Sequence, residues 1–161
     1  MTGENIGGVY FFHPAQSVTR SEFIAMASAA AELPLEPTGH TDFVDDSGLS
    51  DWAKPFVSTA AANGLVSGYQ TANGLAEIRG QNPITLAEAS VIVNNVLHGA
   101  SGDTQYVLAG EHSADMDWAQ SAVSSLTRLD VLSPVAAMRG ADEPITRQTA
   151  CEMIYNTMQL L

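Results

Sequence analysis

Val18-Thr19-Arg20, Ile84-Thr85-Leu86 and Ile145-Thr146-Arg147 are three copies of one phrase, each set after a Gly- or Pro-marked turn and ahead of an apolar-periodic stretch. A second phrase, Asp51-Trp52-Ala53, returns as Asp117-Trp118-Ala119. The two alternate along the chain. Thr19 and Thr85 are 66 residues apart, Thr85 and Thr146 are 61 apart, and Trp52 and Trp118 are again 66 apart. Self-similarity at such a period marks a tandem repeat, whose unit cannot bury its apolar face alone. The unit reads acidic turn, Trp-led helix, Gly-marked loop, Thr-led helix. It predicts an all-α (mainly α) fold of helix–loop–helix units: a partial first unit over 1–36, a second over 40–99 and a third over 112–161.

The Thr-led segments read as helices because of their first turns. Thr19-x-x-Glu22 and Thr85-x-x-Glu88 fit the capping box, in which the Thr oxygen takes the N–H three residues on and the Glu reaches back to the Thr N–H. Each cap contributes about 1 kcal/mol. Thr146-Arg147-Gln148-Thr149 keeps the Thr and loses the Glu, which predicts a first turn that frays more. Phe23, Met26, Ala27 and Ala30, then Ala89, Ile92, Val93, Val96 and Leu97, then Ala150, Met153, Ile154 and Met158 follow at one-face spacing, the pattern of a core-facing stripe. The methionines read as core filler, and Pro34 and Gly99 read as helix stops.

The Trp-led helices are expected from about 52 to 63 and 118 to 129, with Pro55 tolerated only near its helix start. Gly64 is a natural stop, and Leu65-Val66-Ser67-Gly68-Tyr69 reads as a short extended piece. Leu132-Ser133-Pro134-Val135 takes that place in the last unit. The first unit has no Asp-Trp-Ala, so residues upstream of Met1, or a borrowed element, are expected to complete it.

The net charge is −12 and the pI is about 4.4. Nucleic acid needs a basic face and an anionic membrane surface a polybasic one, so neither is an expected partner. No apolar run approaches the roughly 18 residues of a membrane span. The single Cys151 cannot form an internal disulfide and reads as a small core residue. His13, His40, His98 and His112 lie in unrelated contexts, with no metal-ligand spacing or nucleophile elbow. No catalytic residue, cofactor or metal is expected.

Against that acidity stand six Lys and Arg, and four fall on repeat-equivalent slots. Arg20 and Arg147 follow the capping Thr; Arg79 and Arg139 precede Gly80 and Gly140, with His13 before Pro14 in the first unit. A helix N-terminus offers N–H groups and a positive dipole end to an anion. An arginine there opposes the dipole by about 0.3–1 kcal/mol, yet its fork of donors matches a carboxylate. The pattern points to repeated anion binding. The competing account is that these arginines pair with carboxylates of neighbouring units and hold the units together.

Phe43-Val44-Asp45, Trp52-Ala53-Lys54-Pro55-Phe56, Gly64-Leu65-Val66-Ser67-Gly68-Tyr69 and Ile84-Thr85-Leu86-Ala87-Glu88 strongly resemble an S-layer homology repeat. Asp117-Trp118-Ala119 and Ile145-Thr146-Arg147 resemble it more loosely, and the first unit shows only its second half. The resemblance implies repeats around a pseudo-threefold axis with a central helical bundle. It implies a non-catalytic module of the bacterial cell surface, secreted through a signal outside this stretch. Its partner would be an anionic cell-wall polysaccharide, often pyruvylated, held in grooves between units. The motif arginine that contacts the acidic sugar maps onto Arg20 and Arg147; Leu86 departs from the motif and implies a silent second groove. Arg79 and Arg139 are further polymer-binding candidates, and Tyr69 or an exposed edge of Trp52 would stack on a sugar ring. The competing account of Trp52 and Trp118 is burial in the core.

Two rival functions are kept. Asp42, Asp45, Asp46 and Asp51, with Asp115 and Asp117 in the equivalent turn, suggest a calcium-dependent module, although the EF-hand spacing is absent. A helical-repeat protein-interaction module is the other.

Overall fold

The structure, a computed structural model, describes residues 4–6, 9–35, 37, 39–100 and 117–161. In chain order these form β1 (Glu4–Ile6), β2 (Val9–Phe11), α1 (Arg20–Ala30), α2 (Lys54–Ala62), β3 (Tyr69–Gln70), β4 (Ala76–Glu77), α3 (Leu86–Ala100), α4 (Asp117–Arg128), α5 (Pro134–Ala137) and α6 (Arg147–Met158). The fold is mainly α. The strands make two small antiparallel hairpins, β1 with β2 and β3 with β4.

The Thr residues cap as their spacing predicts. Thr19 Oγ1 accepts from the Glu22 N–H while Glu22 Oε2 accepts from the Thr19 N–H at 2.8 Å. Thr85 and Glu88 repeat the arrangement, with 2.9 Å for the return bond. At Thr146 the forward bond from the Thr149 N–H is kept and the two hydroxyls lie 3.1 Å apart, but residue 149 has no carboxylate to accept from the Thr146 N–H.

Helix α3 runs to Ala100, one residue past the Gly99 read as its stop. One local expectation is corrected. In the last unit Leu132-Ser133-Pro134-Val135 leads into the short helix α5 instead of an extended piece. Ser133 caps it by accepting from the Ala136 N–H, and Pro134 fits the first turn. The second unit makes a hairpin at this point because Gly68 and Gly74 both adopt positive φ. At Gly68 a Cβ would lie 2.7 Å from both the Glu77 carbonyl oxygen and Phe43 Cε1, so no larger residue fits this close approach.

The centre of the molecule is α1, α3 and α6, which pack on one another; α2 packs on α1, and α4 on α3. Phe23, Ile24, Ala27, Ile92, Val93, Ala150 and Met153 are buried there. Met158, read above as core, is 54% exposed.

The three helix starts meet in a closed ring of backbone hydrogen bonds. The Ile84 N–H donates to the Val18 carbonyl at 2.9 Å, the Ile145 N–H to Ile84 at 3.0 Å, and the Val18 N–H to Ile145 at 3.3 Å. All three side chains are buried. A single residue before each capping Thr thus ties each of the three helix starts to the next.

Candidate functional site

Each Thr-led helix begins against the turn of another unit. The Arg20 and Ser21 N–H groups donate to Asn82 and Gly80, those of Leu86 and Ala87 to Glu143 and Ala141, and those of Arg147 and Gln148 to Gln16 and Pro14. The expectation that these N–H groups wait for an anion is therefore corrected. Protein carbonyls occupy them, and buried backbone donors are almost always satisfied in this way. Any anion at these helix starts must be held by side chains.

The same cyclic scheme places the slots. Arg20 lies against the turn carrying Arg79, and Leu86 against the turn carrying Arg139. Arg147 lies against the turn carrying His13. Arg20, Arg79 and Tyr69 come together: the Arg20 and Arg79 guanidinium carbons lie 5.0 and 4.2 Å from the Tyr69 ring centre, and the Tyr69 hydroxyl is 3.3 Å from Arg20 Nη1. Arg20 is only 8% exposed and its Nη1 lies 3.4 Å from Glu88 Oε1. Burial pulls its pKa below the ordinary value, opposed by Glu88 and reinforced by Arg79; an arginine nonetheless stays charged at neutral pH. Glu88 serves two units at once, since Oε2 caps α3 while Oε1 faces Arg20. Arg79 Nε bonds Glu77 at 3.1 Å and is half exposed. The geometry at Arg20 is that of the inter-unit ion pair.

Arg147 sits in a different setting, although its slot is the same. Its guanidinium carbon lies 5.2 Å from the Phe12 ring centre. It opens on a groove of about 620 Å³ lined by Glu22, Ala25, Met26 and Ala29 of α1, Trp52 and Phe56 at the start of α2, and Ile154 and Met158 of α6. Trp52 is 51% exposed and meets Phe56 edge-on at a centroid distance of 6.4 Å. Burial of Trp52 in the core is thereby corrected: Ala53 and Val57 take the inward positions of that helix, and the indole turns along the groove wall. The side chain of Trp118 lies outside the described residues. Arg139 is exposed in its turn, beside a buried Leu86 instead of an arginine.

Sequence reasoning named Arg147 and Trp52 but missed their common groove, together with Glu22, Met26 and Phe56. Glu22 was visible only as a capping residue, and nothing in the linear pattern shows that Trp52 of one unit reaches Arg147 of another.

The acidic turn before α2 is occupied by the protein itself. Asp45 accepts the Ile78 and Arg79 N–H groups at 2.9 and 2.7 Å, which helps hold Arg79 in its positive-φ conformation. Asp46 accepts from the Thr41 N–H at 2.7 Å and from Lys54 Nζ at 3.1 Å. Among the described residues no three His, Cys, Asp or Glu gather as metal ligands; Asp115 lies outside them. Burial tends to raise the Asp46 pKa, but the bonds from Lys54 and Thr41 outweigh it and hold the carboxyl below its usual value. The sign follows: a depressed folded-state pKa contributes stability above the unfolded value, about 3.9, and loses it as pH falls below that. Denaturant titrations of wild type and Asp46→Asn should therefore converge from pH 7 toward pH 3, whereas a constant gap would remove the titration from the account.

A mainly helical module, with three linked helix starts and, among the described residues, an open groove of aromatic and charged side chains, is the class these features define. The family model of the S-layer homology domain matches residues 42–90, and that stretch belongs to the family. The chain is 38% identical over 88 residues to an amylopullulanase of Thermoanaerobacterium thermosulfurigenes, covering 52% of this chain and 4% of that protein. It is 36% identical over 88 residues to the exoglucanase XynX of Acetivibrio thermocellus (52% and 8%). It is 33% identical over 86 residues to a surface-layer 125 kDa protein of Lysinibacillus sphaericus (53% and 7%). The chain thus spans less than a tenth of the length of these relatives.

Proposed function

We propose that this chain is a non-catalytic anchoring module of the bacterial cell surface that binds an anionic, pyruvylated cell-wall polysaccharide through the groove between α1 and α6. The observation that carries the reading is the groove itself, where the half-exposed indole of Trp52 and the guanidinium of Arg147 line one cleft. A sugar ring offers an apolar C–H face to an aromatic side chain, and a ketal-linked pyruvate offers a carboxylate to an arginine fork. The volume lies within the roughly 300–1,000 Å³ usual for ligand sites.

The relatives support the anchoring role. Proteins named as an amylopullulanase, an exoglucanase and a surface-layer protein each match about half of this chain and under a tenth of their own length, so a task common to all three suits it better than either named activity. Within the reading, Arg20 holds two units together and orients Tyr69. Arg79 and Arg139 are carried by the turns against which the helices of Arg20 and Leu86 begin, and Leu86 leaves its helix start without an arginine. One working groove implies modest affinity per site, with retention arising from several modules along one polymer.

Co-sedimentation with wall sacculi, before and after the accessory polymer is stripped, tests the reading. The chain should pellet with intact sacculi and stay in the supernatant with stripped ones; equal pelleting in both would remove the polymer as ligand.

A further inference from the structure

The groove between α1 and α6 has a charge pattern that anion binding alone does not explain. The charged residues lining it are Arg147 and Glu22; the others are alanine, methionine, isoleucine, phenylalanine and tryptophan. A cleft that collected anions by charge would gather cations of one sign. This one sets a carboxylate in the same cleft as its arginine, in a chain of net charge −12.

The cyclic scheme brings Glu22 there. The helix of Arg20 begins against the turn ahead of α3, and Arg20 meets Glu88, the capping glutamate of α3. The helix of Arg147 begins against the turn ahead of α1, whose capping glutamate is Glu22. The two pairs are equivalent in position but not in state. Glu88 Oε1 is taken up by Arg20 at 3.4 Å. Glu22 uses Oε2 for the Thr19 N–H at 2.8 Å and the Thr19 hydroxyl at 3.0 Å, and its Oε1 has no hydrogen-bond or ion-pair partner among the described residues. The cap thus fixes the side chain and leaves one carboxylate oxygen as an acceptor with nothing to donate.

We infer that Glu22 sets the specificity of this groove, selecting a singly charged acidic sugar that carries hydroxyl or amide N–H donors over a dianionic, phosphorylated one. The inference rests on the reading of the groove as the polymer site. A ligand carboxylate pairs with Arg147, Glu22 Oε1 accepts from a hydroxyl or amide N–H of the same sugar, and the ring lies on the aromatic wall of Trp52 and Phe56. One ligand charge is matched by one arginine. A second negative charge meets Glu22 between apolar walls, where like charges are screened less than in water. Specificity commonly comes from such a repulsive element, which penalises the wrong ligand more than the right one.

Two probes on one skeleton test this: the methyl glycoside of N-acetylglucosamine bearing either a pyruvate ketal, a monoanion, or a phosphate monoester, close to a dianion at about pH 7.5. Each is titrated into the whole chain at low salt and followed by NMR at the Trp52 indole N–H. Wild type should bind the ketal at least about tenfold more tightly than the phosphate. Glu22→Gln keeps an oxygen for the capping box and removes the charge, so it should cut that preference at least about fivefold, chiefly by tighter phosphate binding. A purely structural role for Glu22 would move both affinities together and leave their ratio unchanged. An unchanged ratio in Glu22→Gln, equal affinities in wild type, or no saturation by the ketal overturns the inference. Sacculus pelleting is read separately. Loss of the preference with polymer-dependent pelleting retained removes only the role of Glu22, whereas equal pelleting with intact and stripped sacculi removes the polymer reading beneath it.

Discussion

Glu88→Gln should lower the free energy of unfolding by about 3 kcal/mol, and Arg20→Leu in the same chain should recover most of it. Removing one partner of a buried ion pair leaves an uncompensated charge, at a cost of about 3–5 kcal/mol. The lower end applies because the pair is 3.4 Å apart and its side chains retain 10% and 16% exposure. Glutamine keeps the return bond of the capping box, so the change isolates the ion pair from the cap. Leucine at position 20 then copies what the chain already does at Leu86, which is 1% exposed at the same slot. Arg20 is also poorly compensated as it stands: burial lowers its pKa, and its Nε is buried without a hydrogen-bond partner. Replacing such a pair by apolar residues is often neutral or stabilising. A double-mutant cycle from urea unfolding gives the coupling directly. A value below about 0.5 kcal/mol would place the pair with ordinary surface bridges and end its role as the link between units.

Arg147→Ala should reduce sacculus binding by about 10- to 100-fold, and Trp52→Ala by about 3- to 10-fold, with both proteins folded. A charged hydrogen-bond pair contributes about 1.5–3 kcal/mol, and aromatic stacking about 0.5–1.5 kcal/mol. Arg147→Lys keeps the charge but loses the planar fork, so it should fall between wild type and Arg147→Ala. Added salt should weaken the wild type more than Arg147→Ala, since screening acts on the charge that the variant lacks. Trp52 is half exposed, so its loss disturbs packing little. If Arg147→Ala binds as wild type while Arg20→Leu does not, the ligand belongs beside Tyr69 and Arg79 and the groove assignment is wrong.

Local chemistry explains which features could be read in advance. Capping at Thr19 and Thr85 needs only residues three apart, and the helical stripes need only their spacing, so both are properties of the linear pattern. The extended piece at Tyr69 follows from glycines at fixed places, while its pairing with Ala76–Glu77 was not read; the short helix at Pro134 was missed because a Ser-Pro cap outweighs the alignment with the second unit. Equivalence between slots suggested equal roles for Arg20 and Arg147, and there the pattern misleads. One arginine faces Tyr69, Arg79 and Glu88. The other faces Phe12 and an open groove. Their neighbours come from different units, whose turns differ in sequence.

By itself the sequence determined the Thr-capped, core-facing helices and showed four of its few basic residues at matching places in a repeating pattern, because caps, stripes and charge are carried by near neighbours. Only the tertiary structure decided that the helix N–H groups are closed by carbonyls of other units, and that Trp52 and Glu22 share a groove with Arg147. Those outcomes depend on which unit each helix start meets around the ring of Val18, Ile84 and Ile145. Contacts between residues more than sixty positions apart are set by that closure and by no local preference.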